Sequence, residues 1–389
     1  MRRALFVVIL LVAVIAGLLW WRSADEPAGG APQASLLPLL SEDDAAGFAR
    51  ATEPDAIRFP RDLGPHDDYQ TEWWYYTGNL QTDGGRRFGY QLTFFRRALV
   101  PPDESAAAGD GNAWRTEQVY LAHFALSDID GEAFYFDEQF ARGAAGLGGA
   151  QAEPYHVWLE EWQAVATGEG KVRLVAETEE VAIDLTLTQT LPPVLHGESG
   201  LSAKGPTPGN ASYYYSFVQQ ETAGTVRVGT ERFDVTGRSW KDHEYSTSAL
   251  EQGAVGWDWF SLQFDNGGAL MFFQIRRDDG TIQAESSGTL VYPDGSLAHV
   301  PLSGWELEVV DTWTSPETGA VYPAAWRLRL PALGLELEGR SLLADQELRL
   351  STVYWEGAVS FSGSWDGRPV TATGYVEMTG YYETMEGRL

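Results

Sequence analysis

Seven consecutive residues, Ser239-Trp240-Lys241-Asp242-His243-Glu244-Tyr245, bring two carboxylates, an imidazole, an amine and two aromatic rings into one short stretch. The stretch reads as a β-strand, in which side chains two apart share a face. Trp240, Asp242 and Glu244 then face one way, and Lys241, His243 and Tyr245 the other. Neighbouring carboxylates repel, which raises the proton affinity of one, and burial beside Trp240 pushes the same way. A carboxyl still protonated near neutral pH is what a general acid needs. Asp242 is the expected acid, with His243 or Glu244 orienting it or guiding a water. The competing use of the same residues is a polar network that closes a barrel, with Asp242 and His243 bonded to backbone or to an arginine.

Such an acid works in a dry pocket, where aromatic faces stabilise positive charge. Trp74, Tyr76, Tyr214, Trp240, Tyr245, Trp257 and Trp259 are the candidates to line that pocket, although each also reads as core packing. No metal is expected: the six His lack ligand spacing and cysteine is absent. Gly197-Glu198-Ser199-Gly200 misses the nucleophile elbow of a serine hydrolase, and Gly146-Leu147-Gly148-Gly149 is no phosphate loop. His123 shares a face with Leu121 and Ala125 and reads as a hydrogen-bonded core histidine. Glu72 is expected to pair with Arg96 or Arg97.

Strands must position these residues. Val181, Ile183, Leu185 and Leu187 alternate with polar or small neighbours, and Leu333, Leu335 and Leu337 do the same. Turn signals at Asp83-Gly84-Gly85, Asn266-Gly267-Gly268, Asp279-Gly280 and Pro293-Asp294-Gly295 punctuate the runs. The pattern predicts an all-β antiparallel sandwich or barrel. It also repeats. Glu72-Trp73-Trp74-Tyr75-Tyr76 parallels Gly256-Trp257-Asp258-Trp259-Phe260, and Thr236-Gly237 parallels Thr373-Gly374. Two related β-domains are expected, at 56–248 and 249–389. Aligned on Thr-Gly, the second copy lacks counterparts of Asp242, His243 and Glu244.

Arg2-Arg3 precede an apolar run from Ala4 to Trp21, about long enough to cross a bilayer at ~1.5 Å per residue. Residues 1–24 read as an uncleaved transmembrane anchor, or otherwise a cleaved signal. The remainder then faces the periplasm, and 25–55 reads as a flexible linker. A formal charge of −28 argues against nucleic-acid partners.

The strings Glu72-Trp73-Trp74-Tyr75-Tyr76-Thr77-Gly78-Asn79, Gly209-Asn210-Ala211-Ser212-Tyr213-Tyr214-Tyr215-Ser216 and Ser239-Trp240-Lys241-Asp242-His243-Glu244 carry a resemblance. They resemble the carotenoid 1,2-hydratase (hydroxyneurosporene synthase) family, which includes AttH-like proteins associated with ABC transporter operons. The resemblance implies two lipocalin-like β-barrels in tandem. It also implies, for some members, hydration of an isoprenoid double bond, in which an acid protonates the alkene and water captures the tertiary carbocation, with no metal or organic cofactor. Two functions are therefore expected. One is a membrane-anchored, cofactor-free hydratase for a hydrophobic lipid or isoprenoid ligand. The other is a non-catalytic lipid-binding or chaperone module serving an envelope ABC transporter.

Overall fold

The computed structural model describes residues 45–103, 117–247 and 250–386. The expected anchor, most of the linker and the 248/249 domain junction lie outside them. Among the described residues no helix is long and apolar enough to cross a membrane. Residues 45–55, assigned by composition to the linker, pack instead: Ala51 is fully buried against Ile57, Tyr213 and Tyr215.

Alternating apolar residues and glycine-bearing turns yield strands throughout. The first sheet uses β1 (Thr71–Gln81), β2 (Arg87–Ala98), β3 (Gln118–Asp128), β4 (Ala133–Arg142), β5 (Gly148–Ala152), β6 (Tyr155–Leu159) and β7 (Trp162–Gly168). It continues with β8 (Lys171–Glu177), β9 (Val181–Gln189), β10 (Val194–Leu195), β11 (Leu201–Ala203), β12 (Ala211–Val228) and β13 (Glu231–Ser246). Its order is β4-β3-β2-β1-β13-β12-β9-β8-β7-β6-β5, and it curls until β3 and β4 approach β5 and β6. The second sheet holds β14 (Ala254–Phe264), β15 (Ala269–Arg277), β16 (Ser287–Val291), β17 (Leu297–Pro301) and β18 (Glu306–Thr314). It is completed by β19 (Val321–Leu330), β20 (Leu335–Ser341), β21 (Glu347–Arg349), β22 (Val353–Trp365) and β23 (Arg368–Met378). Its order is β17-β16-β15-β14-β23-β22-β20-β19-β18. The expected strand at Leu333 starts at Leu335, because Pro331–Leu333 forms a 3-10 turn.

Each sheet encloses its own core. Trp74, Tyr76, Phe94, Phe124, Trp162 and Leu185 fill the first, and Phe260, Phe272, Trp326, Leu337 and Phe361 the second. Large rings occupy both interiors. A third cluster lies between the sheets, with Tyr75, Tyr214 and Trp240 meeting Trp259, Met271, Phe273, Ala358 and Tyr375. The central strands are thus buried on both faces. In β15, Leu270 and Phe272 point into the second core while Met271, Phe273 and Ile275 point to the junction.

Two glycines permit the close strand approach on either side of the junction. A Cβ on Gly237 would meet Asn79 O at 2.1 Å, and one on Gly374 would overlap Ser261 O. Gly237→Ala and Gly374→Ala are each expected to lower stability by ~2–4 kcal/mol, read from urea unfolding at unchanged m-value.

Candidate active site

The outward face of β13 meets the second sheet. Asp242 is buried there, with only 4% of its surface exposed. Its Oδ2 accepts from Tyr214 Oη at 2.6 Å, and its Oδ1 accepts from Trp240 Nε1 at 2.6 Å and from Ser216 Oγ. Tyr214 in turn accepts from Trp259 Nε1 of the second sheet at 2.9 Å. Burial pushes the Asp242 carboxyl up to about 7 against the pull of these donors, with a smaller push from Glu244. Trp240 therefore acts as a hydrogen-bond donor to the acid as well as an apolar neighbour. Glu244 is held by Lys204 Nζ at 2.8 Å and by Ser212 Oγ.

The second sheet brings carboxyls of its own. Asp242 lies opposite Tyr75 on β1 and Ser216 on β12. Glu377 lies opposite Trp259 on β14 and Glu356 on β22. Since Tyr75 and Trp259 are equivalent in the repeat, Glu377 is the counterpart of Asp242 and Glu356 that of Ser216. The second copy thus keeps an acid where the Thr-Gly alignment finds none. In this register Gly374 matches Ser239, so the two Thr-Gly pairs are offset by two positions. Trp257 Nε1 donates to Glu377 Oε1, and Tyr75 Oη donates to Glu356 Oε1 at 2.7 Å. Burial raises Glu377 to about 7 and Glu356 well above the usual carboxylate range. Asp242 is close enough to add to both shifts. Glu356 and Glu377 also hydrogen-bond to one another across the strand pair, which raises Glu356 further and pulls Glu377 down.

The opposite face of β13 does different work. His243 Nε2 and His66 Nδ1 both reach Glu72 Oε1, at 2.8 and 2.7 Å. Arg96 Nε holds Glu72 Oε2 at 2.8 Å and its Nη2 binds the carbonyls of His66 and Tyr69. Burial alone would raise Glu72, but Arg96 and then His66 hold it well below its usual value. Burial pushes His243 down to about 4. Ligand atoms of His66, Glu72 and His243 lie within 4.8 Å of one another, a grouping that could hold a metal ion among the described residues. Glu72 is already neutralised by Arg96, so the set acts as a clasp tying the segment before β1 to β13. Lys241 shares this face. Its ammonium sits 4.4 Å from the Tyr155 ring centre and 5.4 Å from that of Phe217, and burial pushes it down to about 7.

The expected site residues therefore separate. Asp242, Glu244, Tyr214, Trp240, Trp257 and Trp259 meet at the junction. Trp74 and Tyr76 point into the first core, while His243 and Tyr245 belong to the clasp, where Tyr245 stacks on His66 at 3.5 Å. His243 cannot orient Asp242 from there. The Glu72–Arg96 pair forms as expected. His123 bonds Tyr354 Oη of the second sheet at 2.8 Å. Glu356, Glu377, Tyr75 and Ser216 are missing from the sequence reading. A repeat alignment made on the aromatic strands alone, with strand pairing carried through, points to Glu377.

Two curled antiparallel sheets in tandem, with acids buried where they meet, define an all-β lipocalin-like protein. The chain belongs to the AttH-like family, whose model matches residues 50–381. An AttH crystal structure from Nitrosomonas europaea is 36% identical, with a TM-score of 0.75 over 86% of this chain and 100% of that one. Kievitone hydratase from Nectria haematococca is 16% identical, with a TM-score of 0.65 over 87% of this chain and 98% of that one. CghA with Sch210972 has a TM-score of 0.51 at 11% identity, over 86% of this chain and 97% of that one. At these lower identities the likeness is one of fold. No curated protein matches the chain.

Replacing Glu72 by Gln leaves Arg96 buried without its counter-charge, an expected loss of ~3–5 kcal/mol measured by urea unfolding at neutral pH. Because Glu72 is held below its unfolded value, its stabilisation is present above the ordinary carboxylate range and lost on acidification. The gap between wild type and Glu72→Gln should close as pH falls.

Proposed function

We propose that this protein is a cofactor-free hydratase that adds water to an unactivated C=C bond in the junction between its two sheets. The observation that carries this reading is Asp242, a buried carboxyl pushed up to about 7 and surrounded by aromatic side chains. A protonated Asp242 donates to the alkene. The resulting cation rests against the faces of Trp240, Tyr214 and Trp259, each such contact worth roughly 0.5–2 kcal/mol. Water captures the cation and passes its proton to Glu377. A solved hydratase with this fold supports the reading without fixing the substrate. An isoprenoid or similar lipid suits the aromatic, largely apolar walls. The apolar N-terminal run would hold the site at the membrane, facing the periplasm, where such ligands reside. Carotenoid-type chemistry is the finer form of the reading. A carrier role beside an envelope ABC transporter is the alternative that the same experiment separates.

Lipids extracted from wild type and Asp242→Asn, purified from the native envelope, decide the matter by mass spectrometry. Wild type is expected to carry an alcohol one water heavier than an alkene trapped by the variant. The same unmodified lipid in both would instead make the protein a carrier.

Asp242 must be protonated and Glu377 ionised, and both lie near 7. As close neighbours they titrate as a pair. Turnover of the recovered alkene should follow a narrow bell centred near 7, lost at high pH as Asp242 ionises and at low pH as Glu377 protonates.

A further inference from the structure

His196 is a buried imidazole that the reaction above leaves unused. It lies between β10 and β11, 4.4 Å from the Tyr214 ring. Its Nε2 is 2.6 Å from Ser216 Oγ, the hydroxyl that donates to Asp242 Oδ1. Its Nδ1 is 2.9 Å from Thr289 Oγ1, on β16 of the second sheet. Thr289 stands opposite His299 on β17. His299 is exposed and lines a groove of about 650 Å3 with Glu198, Pro206 and Glu285. A hydrogen-bonded row thus runs from Asp242 through Ser216 and His196 to Thr289, whose cross-strand neighbour His299 lines the groove.

Counting protons gives the row a direction. A hydroxyl has one proton to donate. Once Asp242 has given up its proton, both its oxygens can only accept and Ser216 donates to it, so the bond to His196 is then donated by Nε2–H. Burial, then the charges of Lys204 and His299, push His196 down to about 3, so the ring is neutral. Nδ1 is therefore a lone pair, and Thr289 donates to it. Every donor points toward Asp242.

We propose that Thr289, His196 and Ser216 form a proton wire that recharges Asp242 from the groove. The proposal rests on the acid role of Asp242. Each turnover moves a proton from Asp242 to the substrate and another from water to Glu377, so Asp242 must be reloaded. Ser216 passes its proton to Oδ1, His196 passes its Nε2 proton to Ser216, and Thr289 passes its proton to Nδ1 while taking one from groove water. One proton enters and one reaches the carboxylate. The ring changes tautomer without becoming charged, which is what its burial requires. Rotation of the hydroxyls and a half-turn of the ring reset the wire. Besides Asp242, the groups facing the ring are Lys204 and His299, with Glu244 paired to Lys204.

The test follows the Asp242 carboxyl directly and needs no substrate. The full chain is mixed rapidly into D2O below pH 7, and the infrared C=O band absent from Asp242→Asn reports exchange. His196→Gln keeps hydrogen-bonding groups but cannot switch tautomer, and Thr289→Val removes the outer donor. Both should slow exchange by about a hundredfold, the lower end of the range attributed to positioned proton transfer. Thr289→Ser should exchange like wild type. If His196→Gln fails to fold, the Val and Ser variants at Thr289 still carry the comparison. Equal exchange in all variants overturns the wire. On the alkene identified by mass spectrometry, kcat should fall in His196→Gln and Thr289→Val with KM unchanged. Slow exchange in a protein that hydrates nothing would keep the wire and remove the hydratase reading. Normal turnover and exchange in every variant would do the reverse.

Discussion

The arrangement depends on β13 being buried on both faces while carrying ionisable side chains at successive positions. Strand alternation sends His243 inward and Asp242 outward, so two polar systems are built back to back on one backbone. Neither can be solvated, and each is satisfied by different means. The inner system is neutralised by charge, through Glu72, Arg96 and His66. The outer one is matched mainly by hydroxyl and indole donors, with fewer cations nearby. That difference explains why Glu72 is held ionised and Asp242 is not.

The junction places like groups opposite like. Asp242 and Glu377 come from equivalent strands of two related sheets, and neither sheet supplies a cation next to them comparable to Arg96. Burying several carboxyls together costs more than the aromatic packing around them explains, and the cost is met by keeping protons on them. The hydrogen bond between Glu356 and Glu377 has the same origin, since a shared proton lets two buried carboxyls sit side by side.

Much of this was legible beforehand. Alternation and glycine turns marked the strands, and Gly85, Gly267, Gly280 and Gly295 do take positive φ at the expected turns. The split of Asp242 from His243 followed from strand parity. The destination of each face did not, because parity says which residues share a side and not what covers it. Trp74 and Tyr76 were assigned to a pocket for that reason and lie in a packed core. Glu377 was hidden by a local Thr-Gly match, whereas the pairing that defines equivalence joins residues more than a hundred positions apart. Ser216 and Glu356 were hidden in the same way, each lying directly across from an acid on a neighbouring strand.

The filled interiors have a consequence for how this architecture can diversify. In a hollow barrel, ligand size is tied to strand number and tilt. Here each interior is packed with side chains, and the buried acids lie on the seam between the two sheets instead. Substitutions on the seam-facing positions of β15 or β22 would alter the surroundings of the acids without touching either core. Were the seam opened to water, Asp242 would revert toward an ordinary carboxylate.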